Sequence, residues 1–241
     1  MKGEYFMRKF ISVIAVISLT LMLSFSAAFA LNTTFFGEDL DPDQNVANAV
    51  NSNAARADFF SYLVGVGTED FESFLDGQSA PLTVDFGAAG EATLNGGGAI
   101  QSGYSTGRWP VSGSKYWEAS TGTGMFSISF EESIAAFGFY GTDIGDFSGQ
   151  ITLTTVGGTS TVYNIPHTIG APNASILYWG VINDEDLFSS ISFSNTGSSS
   201  DWFGFDDFSI GTIEQVVPTP EPATMLLLGF GLLGLVGLRR R

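Results

Sequence analysis

The sequence predicts a mainly β protein: a two-sheet antiparallel, jelly-roll-like sandwich, preceded by a short helix and flanked at both chain ends by apolar segments. Three observations predict it. From Thr68 onward, short runs rich in Phe, Ile, Thr and Val alternate with clusters of Gly, Ser, Asn and Asp at sandwich-like spacing. The chain holds 22 Phe and no Cys, so its core is aromatic and no disulfide staples it. Uncharged apolar runs stand near both ends, at 10–25 and 223–238.

Taken in order, Arg8-Lys9 precedes the first apolar run, and small residues follow to Ala28-Phe29-Ala30. Basic start, apolar middle and an A-x-A triplet are the pattern of a secretory signal cleaved by signal peptidase after Ala30. Residues 31–64 form the helical preface. Val46, Ala49, Val50, Ala54, Ala57, Phe60 and Leu63 recur at close to a 3.6 period, predicting a helix over 45–63 with Asn45 as N-cap.

Residues 65–213 form the sandwich. Strands are predicted at 82–86, 125–130, 135–140, 150–156, 159–165, 175–182, 189–194 and 203–210. Met125 to Phe130 and Ile191 to Ser194 alternate apolar and polar residues as a half-buried strand does. Val156-Gly157-Gly158-Thr159 predicts a two-residue hairpin turn. The last stretch, 214–241, runs through Val217-Pro218-Thr219-Pro220 to a helix at 223–238 and three terminal arginines. At 1.5 Å per residue that helix spans ~24 Å, slightly short of a bilayer's hydrocarbon core. Arg239, Arg240 and Arg241 fix its orientation with the basic end in the cytoplasm.

Charge excludes some functions. Between residues 31 and 217 only Arg56, Arg108 and Lys115 stand against 23 carboxylates, a formal charge of −20. Such a surface cannot neutralise phosphates, so no nucleic-acid partner is expected. Without Cys and with one His, no Cys-ligated or multi-His metal centre is possible.

Pro220-Glu221-Pro222, the short Gly/Leu-rich helix and the arginine cluster together resemble a PEP-CTERM sorting signal. The resemblance implies transient residence in the inner membrane, recognition there by an exosortase and cleavage near Pro220-Glu221-Pro222. The mature protein would reach the cell surface or matrix of a Gram-negative bacterium that makes extracellular polysaccharide. The stretch from Thr68 to Ile210 also resembles a recurring ectodomain of such proteins, carried by Thr68 to Glu72, Ala136 to Asp146 and Phe203 to Phe208. No activity comes with that resemblance. Its shape resembles jelly-roll carbohydrate-binding modules.

Candidate chemistry is sparse. Gly103-Tyr104-Ser105-Thr106-Gly107 fits the nucleophile-elbow pattern, but Trp109-Pro110 breaks the helix that the elbow needs. His167 is the only possible base for a secreted hydrolase. The better use of acids is structural Ca²⁺, which takes hard oxygen ligands from loops. Glu69, Asp70 and Glu72 lie near the first strand of the sandwich, Asp206 and Asp207 on the last, and the module resemblance implies a calcium joining them. Asp143 with Asp146 forms a second candidate loop. Asp39, Asp41, Asp43 and Asn45 mimic an EF-hand start, yet Gln44 and Val50 occupy its glycine and glutamate positions. For sugar binding, Arg108, Trp109, Tyr116 and Trp117 cluster with Lys115 as the candidate face, the alternative being that the rings pack the core. The expectation is a non-catalytic exported protein that binds or scaffolds extracellular polysaccharide. Polysaccharide hydrolysis and a purely structural or adhesive role are the alternatives.

Overall fold

The computed structural model describes residues 31–121, 125–197 and 201–217. The signal cleavage residues Ala28 and Ala30, the 223–238 helix, Pro220-Glu221-Pro222 and Arg239 to Arg241 lie outside the described residues. Among those described, no helix is long and apolar enough to cross a membrane.

Thirteen strands and one α-helix make up the described residues. The chain opens with β1 (Asn32–Asp39) and α1 (Val50–Ser61), then β2 (Gly67–Glu69), β3 (Leu82–Asp85), β4 (Glu91–Gly96) and β5 (Ala99–Ser102). β6 (Lys115–Ser120), β7 (Phe126–Ile134), β8 (Ala136–Thr142), β9 (Ile151–Gly157) and β10 (Ser160–Asn164) follow. β11 (Ile176–Asn183), β12 (Phe188–Asn195) and β13 (Trp202–Gly211) complete the fold. Every pairing is antiparallel. The larger sheet runs β1-β11-β8-β13-β6-β5, with β2 also on β13, and the smaller runs β10-β9-β12-β7-β4-β3. This is the predicted two-sheet sandwich.

Alternation decides what lies between the sheets. Phe137 and Phe139 of β8, Phe205 and Phe208 of β13, Phe126 of β7 and Phe193 of β12 all point inward. Phe126 and Phe193, on neighbouring strands of the smaller sheet, stack with centroids 4.4 Å apart, and Phe126 meets Phe205 of the larger sheet at 5.1 Å. Phe139 touches the rings of Phe137, Trp179, Phe193, Phe205 and Phe208. Such pairs add specific geometry to a large buried area.

The eight predicted strands are all present, each displaced by a residue or a few at its ends. Five more, β1, β2, β4, β5 and β6, were not among the strands placed from the sequence. β1 is the consequential one, because it pairs with β11 over its whole length, from Asn32↔Asn183 to Asp39↔Ile176. The predicted helix is split into a short 3₁₀ turn at Val46–Asn48 and α1. Asn45 caps only the first piece, its side chain accepting from Ala47 N. Asp39, at the end of β1, serves α1 instead: its carboxylate accepts from Asn51 N at 3.1 Å and Ser52 N at 2.8 Å. Those are free amides at the positive end of a helix, where a carboxylate stabilises most.

α1 buries Ser52, Ala55 and Phe59, while Val50, Ala54 and Ala57 face water, so the buried face is rotated from the predicted one. It lies on the outer face of the larger sheet, against Phe35, Tyr178 and Ile182. Gly180 makes that approach possible, since a Cβ there would stand 2.8 Å from the Phe59 ring. The β9–β10 turn also differs from expectation. Val156 pairs with Ser160, so three residues connect the strands rather than two.

Phe139→Ala removes one of the two rings, with Phe208, that have the most ring partners in a core that no disulfide reinforces. Urea unfolding should show a loss of about 3–5 kcal/mol, and a loss under about 1 kcal/mol would mean that the cross-sheet rings are not what holds the sheets together.

Candidate functional site

β2 and β13 are neighbours, as the calcium expectation needed, with Glu69 opposite Phe208. The carboxylates, however, are engaged with the chain. Glu69 Oε1 accepts from Phe71 N at 2.6 Å, and Asp70 Oδ1 from Glu72 N at 3.2 Å. Glu72 Oε1 accepts from Ser114 N and Lys115 N, both at 2.6 Å, and Oε2 from the Ser114 hydroxyl at 2.9 Å. Asp206 Oδ2 accepts from Val111 N at 2.7 Å and Ser112 N at 3.0 Å, and Asp207 Oδ1 from the Ser112 hydroxyl at 2.6 Å. Three of the five thus fasten one segment, 111–115, onto the larger sheet. Among the described residues no group of three or more acidic or histidine side chains is arranged to hold a metal ion.

Burial raises the Asp206 carboxyl well above its ordinary range, and Asp207 beside it adds to that, while three backbone amides oppose it. Burial likewise raises Glu69, against the pull of the Phe71 amide. For Glu72 the slight burial is outweighed by its bonds from Ser114 and Lys115, and its carboxyl is lowered.

The predicted sugar-binding rings are core residues. Trp109, Tyr116 and Trp117 are all buried, Trp117 within the cross-sheet cluster and Trp109 in the layer beneath the 111–115 segment. The Trp109 indole N–H donates to Ala174 O at 3.2 Å. Of that set only Arg108 reaches a polar site. Its Nε donates to Glu118 Oε1 at 2.8 Å, Nη1 stands 3.7 Å from Asp143 Oδ2, and Nη2 donates to the Ser105 hydroxyl at 3.1 Å. Lys115 Nζ is taken by the carbonyls of Glu72 and Phe74. His167 is buried, stacked on Phe147, and its Nε2 accepts from Ile151 N at 3.0 Å. Ser105 sits in a turn closed by reciprocal backbone bonds with Arg108, not at the head of a helix.

A different group comes together at one end of β6, β8 and β13. Phe203 and Phe205 point into the core, so alternation turns Trp202 outward, where it is 45% exposed. Trp202 pairs with Ser120 of β6, and Glu118 lies two residues further along the same face. Asp201 accepts from the Trp202 amide at 2.8 Å. Asp143, at a positive φ of 64°, follows β8 directly. Gly107 lies so close above it that a Cβ would stand 2.0 Å from the carboxylate, so the Ser105 to Arg108 turn rests on Asp143.

Burial pushes the Asp143 carboxyl up to about 6, although the Ala174 amide and Arg108 oppose it. Asp146 is pushed up to about 7 by burial first, then by a hydrogen bond shared with the Asp201 carboxyl and by the charges of Asp143 and Asp201. Two carboxyl groups that close hold one proton more readily than two charges. The margin therefore offers an open indole face, a carboxyl pair and a guanidinium held by Glu118. Trp202 as a site residue was recoverable from the alternation alone.

Residues 218–241 match the family model of the PEP-CTERM protein-sorting motif, the same residues that carry the resemblance described above. No curated protein sequence matches the chain. Among solved structures, the chain is similar to the K2 cleaved adhesin domain of Lys-gingipain, at 18% identity and a TM-score of 0.41, over 61% of this chain and 100% of that one. It is similar to a xylan-binding domain of carbohydrate-binding module family 22 at 14% identity and TM-score 0.37, over 62% and 96% of the two chains. It is also similar to a family 11 carbohydrate-binding module from Clostridium thermocellum, at 16% identity and TM-score 0.34, over 62% and 96%.

The raised carboxyls carry a pH signature. Between the ordinary aspartate value of 3.8 and the folded values of about 6 and about 7, Asp143 and Asp146 bind more protons in the native chain than in the unfolded one. Their contribution to stability falls as pH rises through that window, opposed by the single buried His167, whose imidazole burial holds below its ordinary value. Urea midpoints should be higher at pH 5 than at pH 8. Asp146→Asn should flatten the upper part of the slope, leaving the part due to Asp143. Midpoints that rise with pH in the parent would contradict the assignment.

Proposed function

We propose that this is an exported, non-catalytic surface or matrix protein that is sorted by an exosortase and binds extracellular polysaccharide along the β6–β13 margin. The sorting motif at residues 218–241 supports the first half of the reading. In it, signal peptidase acts after Ala30, the C-terminal helix holds the precursor in the inner membrane, and the exosortase cuts near Pro220-Glu221-Pro222. Chain termini of this kind serve delivery, so the ligand chemistry belongs to the described residues between them.

The observation that carries the binding half is Trp202. A half-exposed indole offers an apolar face with a polar N–H at its edge, a ready contact surface for a ligand. Its flat face suits the C–H face of a pyranose ring. The carboxyl pair of Asp146 and Asp201, the latter next to Trp202 in the chain, and the Arg108 guanidinium would supply acceptors and donors for ring hydroxyls. The Arg108–Glu118 bond holds the guanidinium in place before a ligand arrives, which lowers the ordering cost of binding.

Two measurements test the two halves. In affinity electrophoresis against the host's own extracellular polysaccharide, Trp202→Ala should weaken binding by about tenfold or more while the near-ultraviolet dichroism of the core stays intact. Unchanged retardation would remove the margin as the binding site. In host cells, Glu221→Ala should leave the chain in the inner-membrane fraction, whereas release at the parent's level would argue against cleavage at that motif.

A further inference from the structure

The outer face of the smaller sheet carries many hydroxyl and amide side chains, together with Asp85, Glu91, Glu131, Val156 and Val162. One row runs across four strands through Thr83, Thr93, Ser129 and Ser190, in direct register. A second runs through Asn95, Ser127, Ser192 and Thr154. Within the rows neighbours are about 4.8 Å apart, and the rows themselves about 6.7 Å apart along the strands. None of the hydroxyls of Thr83, Thr93, Ser127, Ser129, Ser190 and Ser192 bonds to another group among the described residues, so all are open to a partner. At the β3–β4–β7 end the first row forms the floor of a hollow of about 310 Å³, lined by Thr83, Thr93 and Ser129 with Glu91 and Glu131.

From this geometry we infer that the hydroxyl rows are a second binding face for polysaccharide, selective for uncharged over anionic chains. The inference rests on the reading that the chain meets polysaccharide outside the cell, but it uses none of the margin's residues. Charge selects the ligand. The rows themselves carry no charge in a stretch with 23 carboxylates and three cations. A polyanion meets Glu91 and Glu131 at the hollow and a net −20 around it. A neutral sugar chain has hydroxyls that donate and accept as Ser and Thr do, directly or through one water. Ser and Thr also lose little side-chain freedom when a ligand fixes them. The hollow is of a size that takes one or two sugar rings, and the rows beyond it continue the contact along the chain.

The test is affinity electrophoresis of the full chain in mild detergent, through gels containing dextran, mixed-linkage β-glucan or galactomannan, with alginate as the anionic probe. At least one neutral gel should retard the parent, and alginate should not. The triple variant Thr93→Ala, Ser129→Ala, Ser190→Ala should lose about tenfold or more of that affinity, while Trp202→Ala keeps it. Exchanging the hydroxyl residues, Thr93→Ser with Ser129→Thr, should preserve binding and so separates lost hydroxyls from a disturbed sheet. Retardation by none of the neutral probes, equal retardation by alginate, or a triple variant that binds like the parent would each overturn the inference. If Trp202→Ala alone abolishes binding, the margin stands and the rows fall. If only the triple variant does, the reverse holds.

Discussion

The rings of Phe126, Phe137, Phe139, Phe193, Phe205 and Phe208 meet between the two sheets, and the rest of the molecule is arranged around that contact. Packed sheets stand about 10 Å apart, and a chain without cysteine fills that gap with side chains alone. Phenyl rings do so with few rotamers and a large area each. The cost falls on the supply of aromatics. Trp117 is drawn into the same cluster, and Trp109 and Tyr116 into the layer outside the larger sheet. Alternation, interrupted by bulges in β12 and β13, then sends the intervening residues outward, which sets what each outer face can be.

The second constraint is charge. With three cations between residues 31 and 217, buried carboxylates cannot all find an ion pair. They find backbone amides instead. Asp39 closes the start of α1, Glu72 and Asp206 hold 111–115, and Asp143 accepts from the Ala174 amide. A carboxylate that accepts several amide bonds is stabilised as an anion, while the burial that brings it there works the other way. For Asp206 burial prevails, and for the exposed Glu72 the bonds do. Acidic clusters that look like ligand sets in sequence are thus used to fasten loops. The bulge between Asp206 and Ser209, with Asp207 at a positive φ of 49°, is what lets consecutive aspartates reach Val111, Ser112 and the Ser112 hydroxyl.

Much of the sandwich was legible because β7 and β12 alternate cleanly, and β8, β11 and β13 are long apolar runs. The strands that escaped have physical reasons for doing so. In β1, Phe35 and Phe36 are adjacent and face opposite sides of one strand, a pattern that breaks any one-sided alternation. β4 carries its two inward residues, Ala92 and Leu94, among Glu, Thr, Asn and Gly, too weak a signal to stand out. α1 was read in the wrong rotation because alanines mark several faces equally, and because the break at Ala49 resets the count before the helix begins. At the site, Asp146 and Asp201 are 55 positions apart and meet only through the strand order β8-β13. No spacing along the chain could have paired them.

Covering one face leaves the other for contact. α1 and the segment through Trp109 and Val111 lie over the larger sheet, so its outer face reaches water mainly at the β6–β13 margin. Among the described residues nothing comparable covers the smaller sheet, whose outward Thr83, Ser129, Ser192 and Ser194 are exposed. A bare sheet face in a secreted protein is a hazard if it is apolar and a source of long-range repulsion if it is charged. Small hydroxyl side chains avoid both, and they leave donors and acceptors at regular intervals. The same alternation that sends the phenyl rings inward therefore places serine and threonine outward on the smaller sheet, where they present donors and acceptors rather than rings.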